Sequence, residues 1–236
     1  MTSVRTIGHG RAGGSLTSAL ADAGWEVQSP LGRDDDPTEA ADGVDLLVIA
    51  TPDAVVSAVA AAVRPSSTTV VIHLSGSLGL APLVAHRRRA VLHPLVALPD
   101  RERGAVRLRG AWFGLAADGD PLAASVVAAL DGRSVTVAEA DWIRYHAAAA
   151  IAANHLVALL GQVERVAGSV GVPLAAYLDL ARGSLDDVAA LGPAAALTGP
   201  VRRGDMATVA AHLASLPADE RAAYEALSRE ASRLCP

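Results

Sequence analysis

Residues 8–14 read GHGRAGG, and this stretch decides the expected fold because its glycines have the GxGxxG spacing of a dinucleotide-binding turn. It follows a short apolar run at residues 4–7 and opens another at residues 16–20. In this pattern Gly8 makes the tight turn, Gly10 lets the backbone approach a pyrophosphate, and Gly13 lets a helix pack closely on its strand. We therefore predict a cofactor site formed by Gly8, His9, Gly10, Arg11, Ala12 and Gly13. The alternative is a glycine-rich turn that binds no ligand.

Composition excludes several classes of protein. The chain has 236 residues, 51% of them hydrophobic and 3% aromatic, and a net charge of -5 at pH 7, which argues against a sequence-independent nucleic-acid surface. Its single cysteine, Cys235, excludes an internal disulfide framework and a cysteine-based metal site. The longest apolar stretch, residues 147–160, is interrupted by Asn154 and His155 and is too short to span a bilayer. We expect a cytoplasmic protein without membrane or nucleic-acid partners.

The pattern of apolar runs changes once along the chain. Up to about residue 137, short strand-like runs alternate with helical segments, and these runs lie at residues 44–50, 70–74, 90–92, 112–115 and 134–137. They are apolar throughout, as expected for parallel strands buried on both faces. After Glu139 the periodicity is helical. We predict an α/β fold: an N-terminal Rossmann-type, doubly wound parallel sheet at residues 1–138, followed by an all-helical substrate and dimerisation domain at residues 139–236.

The residue that closes the second predicted strand bears on the choice of cofactor. That strand is expected to end at Arg33, twenty residues after Gly13. NAD-specific proteins tend to carry an acid near this position, whereas an arginine suits the 2′-phosphate of NADPH. We therefore expect NADPH, with NADH possible. The alternative is a surface arginine neutralised by the acidic residues 34–36.

Polar residues follow the next strand runs, where ligands of such sheets bind. Thr51, Pro52, Ser75 and Gly76 are predicted to contact the cofactor, and His93 is predicted to face the cleft. Thr51 and Asp53 are also suited to cap the helix at residues 54–63, and we expect Asp53 to be structural. For His73, a buried histidine bonded to the backbone and a cleft residue remain equally open.

The helix that begins near Asp141 carries His146 and Asn154. On a continuous α-helix these residues lie roughly 80° apart around the axis and about 12 Å apart along it, so they can line one groove. A histidine can donate a proton to a carbonyl oxygen, and an asparagine can hold a substrate hydroxyl or carboxylate. The alternative is that both are hydrogen-bonded between packed helices.

A turn at residues 196–205 is the last notable feature. Asp205 is placed to cap the following helix, and Arg202 and Arg203 can bind a substrate carboxylate as a fork. The alternative is a pair of solvated arginines. We assign Arg203 a catalytic-site role with His146, Asn154 and His93, and we predict no metal site.

Six motifs together resemble a known family. They are GHGRAGGSL at 8–16, DLLVIATPD at 45–53, HLSGS at 73–77, LHPLVALPD at 92–100, YHAAAAIAANHLVAL at 145–159 and ALTGPVRRGDMATV at 196–209. Their order and spacing resemble Rossmann-like proteins whose C-terminal half is a helical domain of unknown function, within the ketopantoate reductase and 6-phosphogluconate dehydrogenase-like superfamily. Some relatives resemble an alternative ketopantoate reductase. The resemblance implies an NADPH-dependent reductase of a small anionic acid, a site between two domains, and a homodimer built through the helical half.

Residue by residue, the resemblance is imperfect. It places His146 where ordinary ketopantoate reductases have a catalytic lysine, and Ala150 where they have an asparagine. His93 and Pro94 resemble the His-Pro pair of prephenate dehydrogenases. The leading hypothesis is reduction of a small 2-oxo acid, with ketopantoate as the best single substrate. An imine or pyrroline-carboxylate reductase, a non-catalytic nucleotide-sensing dimer and a deazaflavin hydride donor remain alternatives.

Overall fold

A seven-stranded sheet organises the first part of the chain in the computed structural model, which describes residues 1–116 and 118–235. The strands are β1 (Ser3–Ile7), β2 (Glu26–Val27), β3 (Leu46–Ile49), β4 (Val70–His73), β5 (Arg89–Pro94), β6 (Trp112–Ala116) and β7 (Arg133–Val137). Their order is β2-β1-β3-β4-β5-β6-β7, and every neighbouring pair is parallel except β5 and β6. The predicted doubly wound, mainly parallel sheet is thus confirmed.

Helices follow most of the strands. They are α1 (Arg11–Asp22), α2 (Asp53–Ala62), α3 (Arg101–Leu108), α4 (Leu122–Ala129) and α5 (Trp142–Ala150). Successive residues of a strand point to opposite faces, so Leu46 and Val48 join one hydrophobic cluster while Leu47 and Ile49 join another. Both faces of the central strands are therefore covered, which explains why the strand runs are apolar throughout.

The second strand is shorter than the sequence pattern predicts. It ends at Val27, and Leu31 makes only an isolated bridge to Ile7, so Arg33 lies beyond the strand. The amide of Gln28 donates to Val4, and the amide of Leu31 donates to Thr6. The segment therefore advances three residues, from 28 to 31, while β1 advances two, from 4 to 6, so it carries one extra residue. The segment contains a proline, Pro30, which has no N–H to donate and cannot continue the ladder.

Helices make up the remainder of the chain, as predicted. They are α6 (Leu156–Ser169), α7 (Leu174–Leu191), α8 (Pro193–Ala196), α9 (Gly199–Arg202), α10 (Met206–Ser215) and α11 (Ala218–Ser232). A π-helical turn, Ile151–His155, connects α5 to α6. Chain contacts divide the protein into two compact units, Met1–Ala153 and Asn154–Pro236. The predicted boundary at residue 138 directly follows the last strand, whereas the first unit continues through α5.

The helical unit leaves much of its apolar surface uncovered. Among its described residues, Ala167 and Val209 are the buried hydrophobic side chains. Large side chains remain exposed on several helices, among them Val157, Leu180, Leu191, Met206 and Leu227. A cavity of about 540 Å³ opens among α6, α9, α10 and α11, with a mainly apolar lining.

One helical stretch is both long and apolar. Residues Glu139–Ser169 span 31 residues and include an 18-residue window with a mean hydropathy of 1.3. By length and composition alone, this stretch is sufficient to cross a membrane. The stretch is this long because the π-helical turn is itself helical, so α5, the turn and α6 follow one another without an interruption. The expectation that the apolar run at residues 147–160 is too short to span a bilayer is wrong for the helix that contains it, because this helix extends beyond the run at both ends.

Candidate active site

The sheet has a topological switch point beside the glycine-rich turn. The chain passes from β1 to β2 on one side and then places β3 on the other side of β1. Ligands of open α/β sheets bind outside the carboxyl ends of the strands at such a point. Gly8 follows β1 there, and Ala50 and Thr51 follow β3.

Two glycines of the turn make room for neighbouring backbone. Gly8 has a φ of 88°, and a Cβ on it would lie 2.7 Å from the carbonyl oxygen of Ala50. A Cβ on Gly13 would overlap the carbonyl oxygen of Gly8. These positions therefore require glycine for the tight turn and for close helix packing, as the motif predicts.

Gly10 differs from both because it faces open space. Within residues 1–116 and 118–235, no atom beyond its immediate chain neighbours lies within 4 Å of the position of its missing Cβ. It is the N-cap residue of α1 and supplies no side-chain hydrogen bond to the helix amides. The neighbouring His9 and Arg11 are exposed, and Ala12 packs partly against the core. The start of α1 thus presents free amides that an anionic group can reach.

Arg33 is exposed and lies in a loop beside this turn. A Cβ on Gly32 would be 3.7 Å from the ring of His9, which shows how close the loop and the turn are. Asp35 accepts a hydrogen bond from the amide of Gly32 at 2.6 Å, and Asp36 accepts one from the amide of Thr38 at 2.9 Å. Two of the three acids expected to neutralise Arg33 are therefore bound to backbone groups.

The start of α2 lacks the side-chain cap that the sequence predicts. The helix begins at Asp53, and Pro52 occupies the N-cap position. Asp53 therefore lies inside the first turn, where its charge is favourable to the helix dipole, and it accepts a 2.5 Å hydrogen bond from Ser77. The hydroxyl of Thr51 is buried and has no hydrogen-bond partner among the described residues. This hydroxyl is therefore a buried polar group at the switch point whose hydrogen-bonding capacity is not satisfied.

His73 holds the loop after β4. Its ring is fully buried, and its Nδ1 accepts a hydrogen bond from the amide of Ser75 at 3.2 Å. The ring proton therefore lies on Nε2, which donates to the carbonyl oxygen of Gly79 at 2.9 Å. Burial lowers the pKa of His73 from its usual value. The structure thus decides the open question, because His73 is a backbone-bonded core histidine.

His93, Tyr145 and His146 form a cluster over Gly76. His93 lies on β5, and the other two are adjacent residues of α5. The Nδ1 atom of His93 is 2.8 Å from the Tyr145 hydroxyl, and the rings of His93 and His146 have centroids 5.6 Å apart. A Cβ on Gly76 would lie 2.5 Å from Nε2 of His93 and would also overlap Nδ1 of His146. Both imidazoles thus approach one glycine in the loop after β4.

Two side chains of the cluster, His93 and Tyr145, are uncharged at neutral pH. Burial lowers the pKa of His93 to about 4, and His146 adds to this effect while the charge of Asp53 opposes it. Burial also raises the pKa of Tyr145 to about 12. His93 is therefore a neutral imidazole and Tyr145 a protonated phenol. The Nδ1 atom of His146 is buried and has no hydrogen-bond partner among the described residues.

The pattern of strand and helix residues did not single out Tyr145 or Gly114. Gly114 interrupts an apolar strand and is paired with His93 across β5 and β6. A Cβ on Gly114 would overlap the Tyr145 hydroxyl. A glycine inside a strand often marks the close approach of another group, and this was the available signal.

The remaining predicted site residues lie in the helical unit. Asn154 is exposed within the π-helical turn, so the spacing of 80° from His146, which assumes an unbroken α-helix, is wrong. Arg203 is exposed after α9. The predicted cap at Asp205 is confirmed, because its carboxylate accepts a 3.0 Å hydrogen bond from the amide of Thr208. Within residues 1–116 and 118–235, no group of three or more possible protein ligands is placed to hold a metal ion.

Several solved structures have a similar fold. A Bacteroides fragilis protein described as a candidate NADP oxidoreductase, BF3122, has a TM-score of 0.77 and 21% identity, with 98% of each chain covered. Protein TM1727 of Thermotoga maritima has a TM-score of 0.76 and 19% identity, covering 98% of this chain and 97% of that one. A reductive aminase of Aspergillus terreus in complex with NADPH and ethyl levulinate has a TM-score of 0.68 and 17% identity, covering 99% and 94%. At these identities the likeness establishes the fold.

Sequence comparison assigns the chain to one family. No curated protein matches it. The model of the family DUF2520, a domain of unknown function, matches residues 112–231. This match covers just over half of the chain and includes β6, β7 and most of the helical unit. The chain therefore belongs to the DUF2520 family.

Proposed function

We propose that the chain is an NADPH-dependent reductase of a small carbonyl or imine compound. The observation that carries the proposal is the arrangement at the carboxyl ends of the strands. The open glycine turn lies at the end of β1, and the histidine cluster lies at the ends of β4 and β5. A cofactor site and proton-donating groups on the same edge of one sheet are what hydride transfer requires.

The residues at the switch point fit the cofactor. The free amides at the start of α1 would bind the pyrophosphate, with Gly10 leaving space for it. Arg33 would contact the 2′-phosphate, and the unmet hydroxyl of Thr51 would hydrogen-bond a polar group of the cofactor. Pro52, Ser75 and Gly76 complete the proposed set. When bound, NADPH supplies the hydride.

The histidine cluster would supply the proton. We assign His146 as the donor to the oxygen that becomes an alkoxide, and the ring then regains a proton from solvent. Its Nδ1 atom is buried without a partner beside Gly76, which leaves it free to hydrogen-bond a ligand. His93 is the second candidate for the donor, since it reaches the same glycine.

The leading substrate class is a small 2-oxo acid, and ketopantoate is the first to test. This choice rests on the family resemblance, in which Arg203 would hold the substrate carboxylate and Asn154 a substrate hydroxyl or carboxylate. The second candidate is an imine, favoured by the reductive aminase among the similar structures. An imine that arrives protonated makes less demand on a general acid, and the neutral His93 would suit it.

An NADPH-consumption assay tests the proposal. The purified protein is incubated with NADPH and either ketopantoate, other 2-oxo acids or cyclic imines, and the loss of NADPH absorbance is followed. Consumption that depends on substrate and falls in a His146→Gln variant supports the proposal. NADPH binding without turnover on either panel would favour a nucleotide-sensing protein, and absence of NADPH binding would refute the cofactor assignment.

A further inference from the structure

Tyr145 contacts His93 on the side of the ring that faces away from Gly76. Its hydroxyl lies 2.8 Å from Nδ1, and the two rings meet edge to face at 90° with centroids 5.6 Å apart. The Nε2 atom lies against Gly76. The imidazole is thus held at Nδ1 by a phenol while Nε2 points toward the loop and His146.

Two glycines make this arrangement possible. Any side chain at Gly114 would overlap the Tyr145 hydroxyl, and any side chain at Gly76 would overlap the imidazoles. Gly114 lies directly opposite His93 in the antiparallel pair of β5 and β6, so the His93 side chain and the empty Cβ position of Gly114 are on the same face of the sheet. The phenol can therefore lie above Gly114 and still reach its neighbour across the strands.

The direction of the hydrogen bond follows from acid strength. A phenol O–H is a stronger acid than a neutral imidazole N–H, and an imidazole nitrogen is a stronger base than a phenol oxygen. The favoured arrangement is therefore Tyr145 O–H donating to Nδ1 of His93. The ring proton of His93 must then be on Nε2.

We propose that Tyr145 is a positioning residue that holds His93 as the Nε2-protonated tautomer, with its N–H directed at Gly76 and His146. In the proposed reductase this N–H would hydrogen-bond the substrate atom that receives the proton from His146. That catalytic consequence rests on the proposed function, whereas the tautomer of His93 does not. In many enzymes a hydrogen-bonding residue orients a catalytic histidine by binding the ring nitrogen that does not take part in the reaction, and the proposed role of Tyr145 is similar.

Nitrogen NMR of the histidine rings tests the tautomer in the full-length protein without cofactor or substrate. The wild type is expected to show His93 with a protonated Nε2 and an unprotonated Nδ1. Tyr145→Phe removes only the hydroxyl and is expected to shift the Nδ1 resonance and to introduce exchange between tautomers. Gly114→Ala should give the same change while keeping the phenol, because its Cβ displaces the hydroxyl.

Tyr224→Phe is the matched control. Tyr224 makes a similar hydrogen bond to Nδ1 of His212, at 2.7 Å, within the helical unit. Its removal should leave the His93 resonances unchanged. A wild-type His93 protonated on Nδ1, or a Tyr145→Phe protein with unchanged His93 resonances, would overturn the tautomer proposal.

Steady-state kinetics test the positioning role once a substrate is known. Tyr145→Phe should lower kcat by about fivefold to tenfold and leave KM and NADPH affinity nearly unchanged, because one orienting hydrogen bond is lost. Tyr224→Phe should match the wild type. An unchanged kcat beside altered NMR signals would overturn the positioning role alone. A wild type with no turnover on any substrate would count against the proposed function, while the NMR result would stand.

Discussion

Replacing Gly10 by alanine should weaken NADPH binding without disturbing the fold. Apart from its chain neighbours, the added Cβ meets no atom of the described residues within 4 Å, so the folded protein can accept it. Gly10 is the N-cap of α1, and alanine is a poorer N-cap than glycine, so we expect the free energy of unfolding to fall by only about 0.5–1 kcal/mol. The cost of this substitution should therefore appear in binding.

The expected loss of affinity follows from the contacts that the methyl group would obstruct. A hydrogen bond to a charged group contributes about 1.5–3 kcal/mol. If the methyl group prevents one amide of the turn from reaching the pyrophosphate, NADPH affinity should fall by about tenfold to a hundredfold. Fluorescence titration with NADPH gives the affinity, and thermal unfolding gives the stability.

Two other glycines provide controls. Gly183 lies inside α7, and no atom from outside its own helix turn, in the part of the chain that the structure describes, lies within 4 Å of its missing Cβ. Gly183→Ala should therefore leave NADPH binding unchanged and stabilise the helix slightly. Gly13→Ala should instead impair folding, because its Cβ overlaps the carbonyl oxygen of Gly8. Wild-type NADPH affinity in a folded Gly10→Ala protein would refute the assignment of the turn to the pyrophosphate.

Four further predictions concern the cofactor, the reaction and the assembly. Arg33→Ala should weaken NADPH binding about tenfold to a hundredfold and leave NADH nearly unchanged, and an equal loss of both would contradict a 2′-phosphate contact. His146→Gln should lower kcat about a hundredfold with little change in KM, and undiminished turnover would transfer the role of proton donor to His93. Arg203→Ala should mainly raise KM with little change in kcat, and an unchanged KM would argue against a carboxylate contact. Light scattering should show a homodimer, because the helical unit exposes large apolar side chains, and a monomer across the micromolar range would contradict this.

The sheet could be predicted because its signals are local. A strand such as β3 is buried on both faces, so its apolar run is visible in the sequence without knowledge of its neighbours. The roles of Gly8 and Gly13 were also predictable, since the motif specifies a turn and a close approach at fixed spacing. The end of β2 could not be predicted. There the hydrogen-bond ladder with β1 is interrupted by Pro30 and by one extra residue, and this depends on how the two segments fit together.

The composition of the histidine cluster could not be derived from spacing. His93 and His146 are candidates as individual residues, but their approach to Gly76 depends on how α5 lies against the sheet. Tyr145 contacts a residue 52 positions away, and no periodicity predicts that hydrogen bond. The π-helical turn after α5 also escaped prediction, because its five residues contain no proline or glycine that would mark a departure from an ordinary α-helix.

The position of α5 depends on Trp142, which precedes Tyr145 by three residues. Trp142 is 1% exposed and packs with Val91 and Val137 in a small hydrophobic cluster, and its ring lies 5.3 Å from that of Tyr145. Adjacent residues of an α-helix point about 100° apart. Tyr145 and His146 can therefore both approach His93 only if the imidazole of His93 lies between the directions in which these two side chains point. A single buried tryptophan thus fixes the rotation of the helix that satisfies this condition. The polar cluster is therefore oriented by an apolar contact on the same helix, which connects the packing of the sheet to the chemistry proposed at its edge.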